Sequence, residues 1–251
     1  MEPFRFKQFA VNHHRSAMKV GIDSVLLGAW ATHNLKNDRP EFLDRKLQCL
    51  DIGTGCGLLA LITAQRFPHA RILGVEINAD AAEEAAENFY LSPWKHNLRA
   101  LTMDINEFSE RPENSERFDF IISNPPFFDD GIKIPKTDRE LARHQFKLSP
   151  QILLKLADTM LGKGGILCLV SPLQMESQLL DTMKGMSLSP LKICRIADRP
   201  AKMAKRVILY TGKSDDSSQN IPEMTELFIR NRDGEYSEEY RQITRDFYLN
   251  F

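Results

Sequence analysis

The chain has 251 residues, 42% of them hydrophobic, and its 33 Lys and Arg nearly balance 34 Asp and Glu, leaving a net charge of −1. That length supports one buried core, read here as a single unit over residues 1–251, and the neutral total excludes a uniformly basic nucleic-acid coat. No apolar run is long enough to span a bilayer, the opening Met-Glu-Pro-Phe-Arg is not a signal peptide, and Cys49, Cys56, Cys168 and Cys194 lack any ligand spacing. The expectation is a reduced, cytoplasmic protein without a metal site.

Residues 1–46 form a segment ahead of the core. Within it, Met18-Lys19-Val20-Gly21-Ile22-Asp23-Ser24-Val25 leads into a helix, with Asp23 or Ser24 expected as N-cap. That helix end would face the ligand edge described next, which makes Asp23 a candidate cofactor residue. Leu47–Leu50 reads as a short strand, Asp51-Ile52-Gly53-Thr54-Gly55-Cys56-Gly57 follows at once, and Leu58 to Phe67 has helical composition up to a stop at Pro68. In that context Gly53 and Gly55 let the backbone turn and approach a ligand, and Gly57 is expected to let the helix pack on its strand. The glycines alternate, unlike the dinucleotide fingerprint, which disfavours a nicotinamide oxidoreductase. An acid opens the motif, which suits an amine-bearing ligand better than a pyrophosphate.

A second strand, Arg71–Val75, ends at Glu76, placed to take the hydroxyls of a ribose. A third, Leu98–Met103, ends at Asp104. Three carboxylates thus close three successive strands, on the edge where open α/β sheets bind ligands. A fourth strand, Phe118–Ser123, runs into Asn124-Pro125-Pro126-Phe127. The prolines fix φ and carry no N–H, so the turn is stiff and its carbonyls are free to accept. The Asn124 amide adds an acceptor and Phe127 a flat apolar face. Together they suit a planar group that carries an amine.

The polar stretch Asp129–Lys147 reads as an active-site loop. Beyond it the pattern predicts a helix from Pro150 to Leu161, a turn at Gly162-Lys163-Gly164-Gly165, a buried strand Ile166–Val170 and a helix Met175–Met186. Strands Leu191–Ala197 and Val207–Thr211 flank a basic loop, completing a core over 47–213. In the extension 214–251, Ser214–Asn220 is a break, Thr225–Arg230 an edge strand and Glu238–Leu249 a terminal helix whose Phe247, Tyr248 and Phe251 dock on the core. Between 192 and 213, Lys192, Arg195, Arg199, Lys202, Lys205, Arg206 and Lys213 stand against Asp198 alone. The N-terminal Arg5, Lys7, Arg15 and Lys19 have no acid among them. Such segments beside a ligand edge suit a polyanion, with phosphate contacts supplying position, and Arg15, Lys19, Arg199, Lys202, Lys205 and Arg206 are the candidate contacts to it, to RNA on the resemblance given next.

The glycine loop, the strand-end acids and Asn124-Pro125-Pro126-Phe127, in that order, resemble the amino-group branch of the class I S-adenosylmethionine-dependent methyltransferases. The resemblance implies a Rossmann-like α/β fold with a mostly parallel seven-stranded sheet and helices on both faces. It implies S-adenosyl-L-methionine as cofactor, its methionine part bordered by Asp51, Gly53, Thr54 and Gly55. Glu76 would hold the ribose, Ile77 would meet the adenine, and Asp104 with Ile105 would complete the adenine site. Asn124 and the Pro125 carbonyl would bind the target amine where it meets the cofactor, with Pro126 stiffening the turn and Phe127 stacking. The run Lys19-Val20-Gly21-Ile22-Asp23-Ser24-Val25-Leu26-Leu27-Gly28-Ala29-Trp30, with Asn124-Pro125-Pro126-Phe127-Phe128 and Asp246-Phe247-Tyr248-Leu249, is similar to the bacterial tRNA1(Val) (adenine-37-N6)-methyltransferase family over essentially the whole chain. That family would methylate an anticodon-loop adenine of tRNA, without a metal. A ribosomal-RNA base (guanine N2 or adenine N6), a protein glutamine amide and a non-catalytic binding module are the alternatives.

Overall fold

The computed structural model describes residues 2–125, 148–214 and 221–250. Alternation of apolar residues defines its middle layer. Cys49, Phe120, Ile122, Cys168, Val170, Ile208 and Tyr210 belong to the core on one face, while Leu50, Ile121, Leu167, Leu169, Val207 and Leu209 belong to the core on the other. A strand buried on both faces must sit between two helical layers.

A short hairpin, β1 (Phe4–Arg5) and β2 (Ala10–Val11), precedes that layer. The layer itself holds β3 (Gln48–Ile52), β4 (Arg71–Glu76), β5 (Leu98–Thr102), β6 (Phe118–Ser123), β7 (Leu161–Pro172), β8 (Leu188–Ala197), β9 (Arg206–Lys213) and β10 (Glu223–Phe228). Their order is β10-β8-β9-β7-β6-β3-β4-β5, and every pairing is parallel except those of β9. β3 to β9 are the seven strands of the core. The expected edge strand is β10, which makes an eighth by pairing with β8. Helices α1 (Ile22–Asp38), α2 (Leu58–Arg66) and α3 (Ala79–Leu91) cover one face of the sheet, and α4 (Ile105–Ser109), α5 (Pro150–Met160) and α6 (Glu176–Met183) the other. A seventh helix, α7 (Glu238–Thr244), packs on α1 and β10. No helix of the described residues is long and apolar enough to cross a membrane.

Several local readings are corrected. α1 starts at Ile22 with extended Gly21 as its N-cap, so Asp23 and Ser24 lie inside the first turn and cap nothing. The stretch Gly162–Gly165 is part of β7. The ladder with β6 jumps from Phe118–Leu161 to Phe120–Ile166, so the strand absorbs extra residues as a bulge where glycines offer no side chain to misplace. α7 ends at Thr244 rather than Leu249, which lets the chain fold Phe247, fully buried, beneath the Arg66 guanidinium. Phe251 and the segments 126–147 and 215–220 lie outside the described residues; with them go Pro126, Phe127, the Asp129–Lys147 loop and most of the Ser214–Asn220 break.

The N-terminal strap between β2 and α1 has little apolar surface and is held by polar groups of α3. Glu84, with no exposed side-chain surface, accepts from the backbone N–H of His14 (2.7 Å), Arg15 (3.0 Å) and Ser16 (3.0 Å) and from the Ser16 hydroxyl (2.7 Å). Asn88 accepts from the Asn12 N–H and donates to the Asn12 and Cys56 carbonyls, which ties the strap to the glycine loop. Burial works against the Glu84 charge, but the N–H donors of Arg15, His14 and Ser16 and the Ser16 hydroxyl outweigh it and hold the carboxyl below its ordinary range. A depressed carboxyl stabilises fully above its ordinary value of about 4.3 and loses that contribution as pH falls through the depressed one. Amide exchange at His14, Arg15 and Ser16 is therefore expected to be protected above about pH 5 and to lose protection well below pH ~4. Glu84→Ala is expected to lose that protection at every pH; an unaltered exchange pattern in the variant would show that the strap is held by something else.

Candidate active site

Strand order reverses between β3 and β6: the chain leaves β3 toward β4 and β5 and returns to β3's other side as β6. Ligands of open α/β sheets lie outside the carboxyl ends of the strands at such a reversal. The two motifs meet there. Ladder pairs run up to Asp51–Ile122, and the Ser123 hydroxyl donates to the Ile52 carbonyl at 2.8 Å, so Gly53 and Asn124 emerge side by side.

The glycine loop is built for close approach. Gly53, Gly55 and Gly57 have φ of +68°, +54° and +84°, the left-handed region that a Cβ disfavours. At Gly55 a Cβ would meet nothing within 4 Å, so the backbone there borders open space. At Gly57 it would stand 2.4 Å from the Phe89 ring of α3. Gly57 thus serves packing against α3, not against its own strand, which corrects the expectation above. The loop is pinned to β4, with the Gly53 and Thr54 N–H groups both donating to the Val75 carbonyl.

Asp51 faces inward. It has no exposed surface; its Oδ2 accepts from the Thr54 hydroxyl (2.6 Å) and the Ala60 N–H (3.1 Å), while Oδ1 is buried without a partner. Burial pushes the carboxyl up to about 7, the two hydrogen bonds opposing and the Glu76 charge adding. Glu76, half-buried, accepts from the Gly55 N–H through Oε2 and from the Asn78 N–H through Oε1, both at 3.0 Å. Its carboxylate so braces the loop and still has lone pairs for a diol. Beside it Ile77 is 39% exposed, an apolar surface presented to the ligand edge. Asp104 caps α4, its Oδ1 accepting from the Asn106 N–H and side-chain amide (both 2.8 Å), and Ile105 is buried beneath. A left-handed Gly55 bordering open space, a braced Glu76 and a bare Ile77 fit a ligand with an amino-acid part, a diol and a planar base. Among the described residues no group of three His, Cys, Asp or Glu is gathered as a metal would need.

Asn124 is half-buried and Pro125 buried. The Asn124 amide Nδ2 donates to the Ser24 hydroxyl of α1 at 2.8 Å, a contact across 100 residues of sequence that sequence reading missed. Asp23, next in the same turn, pairs with Arg206 at the start of β9 at 3.2 Å, so it meets a cation of the protein. The loop between β8 and β9 stands on the ligand edge, because β8 is parallel to the central strands and ends there. Lys202 and Lys205 on it are exposed, while Arg199 pairs with Asp198 at 3.0 Å. Arg15 pairs with Glu83 and Glu87 of α3, and Lys19 donates to the His13 and His14 carbonyls of its own strap. Those two cations hold the fold together.

The position of Asp51 makes stability depend on pH. Its unfolded carboxyl titrates at about 3.9, so between there and about 7 the native state holds a proton that the unfolded chain has lost. The ligand-free protein is expected to lose stability as pH rises through that window, by on the order of 4 kcal/mol at most. Asp51→Asn keeps an acceptor for Thr54 and Ala60 and removes the titration. Denaturant unfolding between pH 4.5 and 8 should therefore give a flatter curve for the variant; parallel curves would show that Asp51 is ionised throughout.

Known proteins show the family and the fold. The model of the methyltransferase small domain matches residues 32–187. A tRNA1(Val) (adenine(37)-N6)-methyltransferase of Flavobacterium johnsoniae is 38% identical over 98% of this chain and 99% of its own, and one of Pectobacterium carotovorum is 37% identical over 98% and 93%. Among solved structures, a predicted O-methyltransferase of Agrobacterium tumefaciens superposes with a TM-score of 0.66 at 20% identity, covering 90% of this chain and 96% of that one. The fold is thus that of the class I S-adenosylmethionine-dependent methyltransferases, and the chain belongs to the family of tRNA1(Val) (adenine(37)-N6)-methyltransferases.

Proposed function

We propose that this methyltransferase acts in the cytoplasm, on the exocyclic N6 amine of adenine 37 in the anticodon loop of tRNA1(Val), and that the whole chain works as one unit. The observation that carries the reading is the juxtaposition of Asn124 and Pro125 with the glycine loop at the β3–β6 reversal. S-adenosylmethionine supplies an electrophilic methyl on its sulfonium when bound. Gly53 and Gly55 would border its methionine part, with Asp51 and Thr54 fixing the loop from within. Glu76 would accept from the ribose hydroxyls. Ile77 would lie against the adenine ring, with Asp104 accepting from its amine and Ile105 beneath.

An adenine amine is a poor nucleophile because its lone pair is delocalised into the ring. Asn124 Oδ1 and the Pro125 carbonyl would each accept one N–H, which favours a pyramidal nitrogen with its lone pair aimed at the methyl. Phe127 would stack on the base. The protein's work is alignment for an in-line displacement, and an anticodon-loop base reaches such a pocket at low unstacking cost. The exposed Lys202 and Lys205 would meet backbone phosphates beside the site.

Asn124→Ala is expected to lower kcat by about a hundredfold or more while leaving cofactor affinity within a few-fold. Single-turnover methyl transfer with a binding titration checks this, and equal loss in both would remove Asn124 as the amine ligand. Lys202→Glu with Lys205→Glu should weaken tRNA binding and lower its salt slope by roughly two. Binding isotherms across a salt series that superpose on those of the parent would place the RNA on another face.

A further inference from the structure

The first turn of α1 carries two side chains that a helix start of this kind normally spends on its own backbone. Here Gly21 is the N-cap and no side chain caps the helix, so the Ser24 hydroxyl is available for a tertiary contact. It accepts from Asn124 Nδ2 at 2.8 Å, at the end of β6. The neighbouring Asp23 reaches Arg206 of β9 at 3.2 Å, so one helical turn is fastened to two strands of the sheet. This turn is a rigid support: α1 continues from it as Val25 to Thr32, all buried.

We infer that Ser24 is a positioning residue for methyl transfer, holding the Asn124 amide by its nitrogen end so that its oxygen end faces the target amine. The inference rests on the reading of Asn124 as a ligand of that amine. An asparagine amide can turn over about χ2 at little intrinsic cost, since that torsion is broad and roughly two-fold. The two ends are opposites: one donates, the other accepts. A target amine only donates in this geometry, so an overturned amide sets donor against donor and breaks the alignment that the displacement needs. The Ser24 hydroxyl, seated on a buried helix, engages Nδ2, which fixes where the amide stands and leaves Oδ1 free for the target amine before substrate arrives. Nothing in this role touches the methionine, ribose or adenine positions, so cofactor binding should be indifferent to it.

The test is a double-mutant cycle on the full-length protein, read by single-turnover transfer of labelled methyl to unmodified tRNA. Ser24→Ala is expected to lower the transfer rate by about tenfold, with the dissociation constants for S-adenosylmethionine and tRNA and the melting temperature close to the parent's. Ser24→Thr, which keeps the hydroxyl, is expected to recover most of the rate. In an Asn124→Ala background the Ser24→Ala cost is expected to vanish, because the two residues act as one unit. A Ser24→Ala cost that persists undiminished without the Asn124 amide overturns the inference, as does a rate equal to the parent's or a loss of cofactor affinity. If Asn124→Ala itself transfers at the parental rate, the failure lies with the amine-ligand reading.

Discussion

The register between β3 and β6 is the constraint on which the rest depends. Cys49, Leu50 and Asp51 pair with Phe120, Ile121 and Ile122, and the Ser123 hydroxyl carries the tie on to Ile52. A slip of one residue would exchange the side chains that β6 sends to the two cores and part Ser123 from Ile52, so packing on both faces and that hydrogen bond hold the register. With it held, the glycine loop and the Asn124-Pro125 turn leave the sheet side by side. Everything else at the site is support for these two adjacent exits.

That support is largely carboxylate. Glu76 takes N–H groups from the loop and from the turn into α3, Asp51 takes the Thr54 hydroxyl and the Ala60 N–H, and Glu84 takes three successive N–H groups of the strap. Irregular backbone at a ligand edge cannot satisfy its donors by secondary structure, and unpaired donors are costly once shielded from water. Acids on the neighbouring regular elements answer that need and stiffen the loops at once. The cost shows at Asp51, whose burial leaves one oxygen without a partner and lifts its titration to about 7.

Charge is arranged on the same principle. The chain is nearly neutral, yet its cations serve different ends: Arg15 and Lys19 fasten the strap, Arg206 fastens α1, and Lys202 and Lys205 stand exposed on the ligand edge. A polyanionic substrate needs a local field beside the catalytic turn, not a basic surface everywhere. Transfer to a weakly nucleophilic amine depends on orientation, which on the proposed reading a stiff Pro125 and an amide tethered to a buried helix would provide.

Much of this was legible in the sequence. β6 runs over the predicted residues, β4 ends at Glu76 and α2 opens after the glycine loop, because local patterns of apolar period, glycine and proline encode backbone dihedrals directly. The strand-end acids and the Asn124 turn were found the same way. The start of α1 was misplaced because an extended glycine can close a helix without a polar side chain, and the glycines of β7 read as a turn although they form a bulge. Local sequence carries the order of strand, loop and helix and the residue types at each strand end. Tertiary structure alone decided that Asp51 points inward, that Arg15 and Lys19 are spent on the fold, and that Ser24 meets Asn124. The Ser24 and Arg15 contacts join residues far apart in the chain, and the turning of Asp51 and Lys19 toward nearby groups follows from how loop and strap fold back; packing sets both, and neither leaves a trace in local spacing.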